Sequence, residues 1–171
     1  MVSDGSLEKF NADVDAAYNK KVVQGFVEFH RAVSLDAFKK VSSDSRDVGL
    51  QFGSPVWSGW FRSGHNISIG TPDLTPPEPN PDAEGVRWPD EPDTILPAPA
   101  ISQAAQVLLS LNPFSIVYIA NAAPHARRLE GGWSKLKAPE GVYKITAMAV
   151  IGKYKQIAAE VGRFIQGRLG K

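Results

Sequence analysis

Apolar positions recur through residues 6–42 with the period of a helix. Leu7, Phe10, Val14 and Ala17 fall on one helical face, and the pattern resumes at Val22, Val23, Phe26, Val27, Phe29, Val33, Phe38 and Val41. Ser6 is placed as an N-cap, although Lys9 at the third helical position leaves the capping box incomplete. Asn19 and Ser34 are sites for a break or kink, and Gly25 weakens the run by about 1 kcal/mol relative to alanine. The pattern predicts two helices or one bent helix, ending before the polar stretch at 42–47.

Residues 49–70 change character, with Gly and Ser punctuating aromatic and β-branched residues. Ser54-Pro55-Val56-Trp57-Ser58-Gly59 reads as a turn leading into a strand. His65-Asn66-Ile67-Ser68-Ile69 alternates as a half-buried strand does. Residues 71–100 contain nine prolines, a density that excludes helix interior and central strand. This segment is expected to be extended, with Val86, Trp88, Ile95 and Leu96 as apolar anchors: an arm that lies on something, or a disordered surface insertion.

Residues 101–112 predict a short helix burying Ile101, Ala104, Ala105, Leu108 and either Leu109 or Leu111, stopped by Pro113. Ser115 to Ala120 reads as a strand buried on both faces. From Val142 the period is again helical, through Ile145, Ala149, Tyr154, Ile157, Val161, Phe164 or Ile165, and Leu169. The opening VYKIT also suits a strand, with Gly152 as the junction. Pro139 suits a first helical turn.

Between these last two elements lies Asn121 to Tyr143, NAAPHARRLEGGWSKLKAPEGVY. Pro124, Gly131, Gly132, Pro139 and Gly141 mark it as a corner whose backbone takes specified turns, and Trp133 is its one tryptophan. The whole reads as α+β: an N-terminal helix or bent helix pair, a small sheet flanked by helices, a C-terminal helix and a long Pro-rich arm. Residues 1–171 form one domain, with 71–100 inserted in it as the arm.

Charge sharpens this picture. The chain nets +1, but unevenly. Residues 1–70 hold eight basic and eight acidic residues, 71–124 hold Arg87 against seven acids, and 125–171 hold ten basic residues against three acids. An acidic middle and a basic C-terminal third are either solvated surface or surfaces that meet, within one subunit or between neighbours. The chain has no cysteine, which removes disulfides, thiolate metal sites and cysteine nucleophiles and fits assembly in a reducing cytoplasm. Nothing approaches the run of about 18 apolar residues that a membrane helix needs, and MVSDGSLEKF does not have the form of a signal peptide.

Candidate chemistry is sparse. His125 and Glu130 are five residues apart with Arg127 and Arg128 between them, which is no metal-ligand spacing. Serine nucleophiles lack a Gly-x-Ser-x-Gly setting, and there is no phosphate-binding glycine loop. No catalytic, cofactor or metal residue is assigned. Glu130 instead suits a charge-assisted pair that fixes the corner or crosses to a neighbouring subunit. Trp133, Trp57 and Trp88 are either core anchors or interface residues. With Arg127, Arg128 and Glu130 they form the candidate interface set, since Trp and Arg concentrate at interface hot spots.

Two clusters, in order, carry a family resemblance. The first is Ser54-Pro55-Val56-Trp57-Ser58-Gly59-Trp60-Phe61-Arg62-Ser63, after an N-terminal helix. The second is Asn121-Ala122-Ala123-Pro124-His125-Ala126-Arg127-Arg128-Leu129-Glu130-Gly131, followed by Ala138-Pro139-Glu140-Gly141-Val142. Together they resemble the minor tail-component, or neck and tail-completion, proteins of long-tailed bacteriophages. The likeness covers most of the chain except the arm, and His125 stands where that family has an aromatic. The resemblance implies a structural virion protein of the neck with no catalysis and no cofactor. It would be a small α+β subunit, assembled in the host cytoplasm into a homo-oligomeric ring, most often a hexamer. Such a ring joins the tail tube end or terminator to the head-side connector, with DNA passing through and no sequence-specific binding. A different use of the basic C-terminal helix would be a nucleic-acid-binding module.

Overall fold

The computed structural model describes residues 4–44 and 53–169. The polar stretch after Asp44 and the residues up to Phe52 lie outside the described residues. The chain opens on α1 (Asp4–Ala17), continues through a π-helical segment at Tyr18–Val23, and runs on as α2 (Gln24–Ser42). The interruption expected at Asn19 is thus a wide turn inside one helical run, and Ser34 sits buried within α2 without breaking it. Beyond Gly59 come the single-turn α3 (Trp60–Ser63) and β1 (His65–Ile69). The arm contains one short 3-10 turn at Pro81–Ala83. Then follow α4 (Ile101–Leu109), β2 (Val117–Asn121), the short α5 (Ala126–Glu130) and the long α6 (Tyr143–Leu169).

β1 and β2 form a two-stranded antiparallel sheet, with His65 opposite Asn121, Ile67 opposite Ile119 and Ile69 opposite Val117. Period-two alternation puts these residues on one face, and helices pack on that face. β2 is half-buried along its length and Ile116 just before it is exposed. The expectation of a strand buried on both faces therefore fails. α2 and α4 pack on one face of this sheet, and β-branched composition does not report which face is covered.

The core has two parts that share Ile119. Phe38 of α2, Ile67 of β1, and Ala104 and Leu108 of α4 form one. Val41, Phe61, Ala123, Leu129, Ala138 and Val142 form the other, at the corner between β2 and α6. Each large side chain buried in this way contributes about 1.5–3 kcal/mol. On α4 the buried residue of the Leu109/Leu111 pair is Leu111, just past the helix end, while Leu109 is exposed. Arg31 fixes α4 to α2, its guanidinium donating to the carbonyls of Leu108 at 2.8 Å and Leu109 at 2.7 Å. A cation there satisfies carbonyls left open at a helix end and opposes the helix dipole. Asp36 joins α2 to α6 through Lys153, 3.2 Å away, and also holds Lys40 at 2.8 Å.

α6 is helical from Tyr143, so VYKIT does not form a strand, and Gly152 lies inside the helix. Pro139 falls in the turn before α6 rather than in its first turn. Val142 is buried and Ile145, Ala149 and Tyr154 are half-buried, as the pattern requires, whereas Ile157 of the same pattern is exposed and Val150, outside it, is buried. The side chains expected to continue that face beyond Ala159 lie outside the described residues.

Candidate functional site: an aromatic cleft at the corner

The two sequence clusters fold against each other. Phe61 of α3 packs on Ala123, Leu129, Ala138 and Val142. The Asn121 side chain at the end of β2 donates to the Phe61 carbonyl at 2.6 Å and accepts the Ala123 amide at 2.9 Å. A carboxamide that both donates and accepts in this way ends the strand and starts the turn. The His125 ring lies against Trp60 and Phe61, with centroids 5.5 and 6.0 Å away, so it occupies an aromatic's place. Burial lowers its pKa, which keeps the ring neutral among the aromatics.

Glu130 fixes the corner. One carboxylate oxygen accepts the amides of Val142 and Tyr143, and the other accepts that of Lys144, each at 2.9 Å. These are orphan donors at the start of α6, where a negative charge also meets the positive end of the helix dipole. Gly141 makes the approach possible. Its φ is +87°, and a Cβ there would lie 2.6 Å from the Glu130 carbonyl oxygen. Arg127 and Arg128, the cations nearest Glu130 in sequence, are exposed on α5. Glu130 and His125 are thus turned to different partners, and no group of three or more His, Cys, Asp or Glu fit to hold a metal is found among the described residues.

Beneath the corner is a polar chain that the sequence did not disclose. Ser54 donates to the Val41 carbonyl at 2.5 Å and sits 2.6 Å from His65 Nε2, while His65 Nδ1 is 2.8 Å from the Tyr143 hydroxyl. With the Ser54 proton given to Val41, His65 Nε2 is the donor to Ser54 and Tyr143 donates to Nδ1. Ser54 is 0% and His65 1% exposed, so this serine has neither a free proton acceptor nor access to a substrate. Burial pushes the imidazole down to about 3. Burial first, and then the charge of Glu130, push the Tyr143 phenol upward. The chain is a buried strut between α2, β1 and α6, and its members are fixed as neutral groups.

The arm lies on the body of its own chain. The Trp60 indole donates to the Pro77 carbonyl at 3.0 Å, and the Trp57 indole to that of Asp90 at 2.6 Å. Asn80, buried, donates to the carbonyls of Ser58 at 3.0 Å and Thr94 at 2.6 Å, and the Leu96 amide donates to the Ser58 carbonyl. Gly59, at φ +77°, lets Leu96 pass; a Cβ there would collide with the Leu96 backbone. Pro77, Asn80 and Leu96 thereby hang the arm from the 54–60 turn. Its acidic side chains are mostly exposed.

These contacts leave a cleft of about 780 Å³ between the 54–61 turn, the arm and the corner. Trp57, Trp60, Trp88 and Trp133, all the tryptophans of the chain, line it, with Phe61, Leu129 and Leu136. Lys135 and Lys137 are also among its lining residues. Three of the six candidate interface residues, Trp57, Trp88 and Trp133, thus meet at one place. Trp88 and Trp133 are 64% and 68% exposed, far more than a core anchor. Volume and lining are those of a surface that takes an apolar ligand or side chains.

Comparison with protein families, curated proteins and solved structures finds no match for the chain. No helix among the described residues is long and apolar enough to cross a membrane.

Proposed function

We propose that the protein is a structural subunit of the bacteriophage neck, which assembles with copies of itself into a ring that completes the tail and joins it to the head-side connector. The observation that carries the reading is the leading helix. Leu7, Phe10, Val14, Tyr18, Val22, Phe26 and Phe29 are all exposed, between 44% and 63%. They are spaced three or four apart along the α1–α2 run. Phe26 and Phe29 meet Phe114 and Tyr154 at ring-centroid distances of 5.5 and 5.4 Å, but an amphipathic helix buries its apolar stripe, and a row of this length left so largely exposed in the single subunit is the mark of an interface. The packing of the two resemblance clusters into one corner and the aromatic cleft beside it support the same reading.

DNA passes through such a ring without specific contacts, and partners include the neighbouring neck proteins and the tail tube or terminator. The protein accordingly belongs to the virion, after assembly in the host cytoplasm. A nucleic-acid-binding module built on α6 has less support. Lys153 is engaged with Asp36, and the α6 lysines have few interleaved aromatics, unlike single-strand binding surfaces. Electron microscopy and mass spectrometry of purified virions test the proposal. A ring of this subunit at the neck is the expected result, and absence of the protein from virions overturns it.

A further inference from the structure

The bare stripe and the aromatic cleft lie on different parts of one subunit, and each has what the other lacks. Leu7, Phe10 and Val14 stand at i, i+3 and i+7, the spacing by which a helix anchors in an apolar groove. The cleft is concave, apolar and lined by tryptophan. Charge agrees with shape on the corner side of the cleft, the arm around Trp88 on the other side being acidic. Between residues 6 and 17, α1 holds Glu8, Asp13 and Asp15 against Lys9. Between residues 126 and 137, the cleft's corner holds Arg127, Arg128, Lys135 and Lys137 against Glu130, whose carboxylate is occupied by the α6 amides.

We infer that α1 of one copy seats Leu7, Phe10 and Val14 in the tryptophan cleft of the next copy, its acidic flank against Lys135 and Lys137. The inference rests on the reading of the chain as an assembly subunit and names the contact that builds the assembly. The two surfaces differ, so the contact is heterologous, and repetition closes a ring when the rotation between copies allows it.

Sedimentation of the full-length protein tests this. Wild-type protein is expected to sediment as an oligomer. Phe10→Asp and Trp133→Ala, both at exposed positions, are expected to keep their helical circular dichroism and weaken association at least about 30-fold. An equimolar mixture of the two variants gives a heterodimer, because one retains an intact cleft and the other an intact helix. Lys137→Glu weakens association and Asp13→Lys in the same chain restores it. All four tryptophans report the contact, so wild-type emission lies to shorter wavelength than that of Phe10→Asp.

Monomeric wild-type protein overturns the inference. So does a mixture of the two variants that stays monomeric, which is the result of α1 pairing with α1. Oligomers that survive Trp133→Ala but not Met148→Asp overturn it as well, moving the contact to the exposed face of α6. The neck reading stands or falls separately. Head-to-tail oligomers of a protein absent from virions keep this contact and remove that reading. A virion ring whose Phe10→Asp subunits still associate does the reverse.

Discussion

Glu130 and Val142 are twelve residues apart in sequence, yet the carboxylate of the first accepts the amide of the second at 2.9 Å and so begins α6. The adjacent amides of Tyr143 and Lys144 converge on the same side chain. A side chain twelve residues back thus caps the helix, and Glu130→Ala is expected to cost about 2 kcal/mol of stability. Denaturant titration measures the loss. An unchanged midpoint would show that water replaces the carboxylate at no penalty.

His65 gives the fold a pH dependence whose sign follows from its burial. The unfolded chain takes up a proton on this residue below about pH 6.5, whereas the folded imidazole stays neutral until about 3. The unfolded state therefore binds more protons in that window. The His65 contribution is fully present above about pH 6.5 and is lost progressively as pH falls towards 3, by roughly 2 kcal/mol at about pH 5. Urea midpoints across that range check it, and His65→Gln is expected to flatten the curve between pH 5 and 7.

The arm has a built-in reporter of its attachment. Arg87 is the one basic residue between 71 and 100, so trypsin has a single site there. Trp60→Phe keeps the ring against His125 but removes the N–H held by Pro77. Loss of about 1 kcal/mol of attachment raises cleavage after Arg87 about five-fold where opening is rapid. Gly59→Ala, which drives a Cβ into the Leu96 backbone, is expected to raise it further. Equal cleavage rates in all three proteins would mean that the arm is held elsewhere.

Neither part of the core includes a residue of the arm. Replacing 75–96 by a short Gly/Ser linker is therefore expected to leave a folded subunit that fails to assemble, since it removes Trp88 and unbinds the turn carrying Trp57. Circular dichroism and sedimentation on the same sample separate the two effects, and normal assembly by the replaced chain would deny the arm a part in the contact.

Local rules made much of the fold legible. The 3.6-residue period found the helical run to Ser42, α4 and α6, and alternation found β1 at its full length. The turn formers of 121–143 marked a corner, and the corner is there. What escaped depends on residues far apart in sequence. Glu130 offers only a carboxylate near two arginines, and its real partners are amides, which all residues carry. His65 looks like any polar residue in a strand, because its burial is decided by Ser54 and Tyr143 packing over it. The four tryptophans were visible singly, but their convergence needed the arm to fold back on the 54–60 turn, and proline content says only that the arm is extended. The exposed side of β2 was missed for a related reason: composition reports how apolar a strand is, not how many layers cover it.

The π segment at Tyr18–Val23 determines where the leading helix points. A row of apolar residues spaced by four overshoots each 3.6-residue turn, so along a regular helix it winds steadily around the axis. A wider turn takes up more residues per revolution and winds the row back. The segment therefore acts as a phase corrector that keeps Val14, Tyr18, Val22 and Phe26, each four residues apart, close to one line. Removing a single residue between 18 and 23 would leave the core contacts of α2 intact while rotating α1 by roughly the 100° of one helical residue. Such a chain would fold normally and present its acidic, polar side where the wild-type chain presents Phe10.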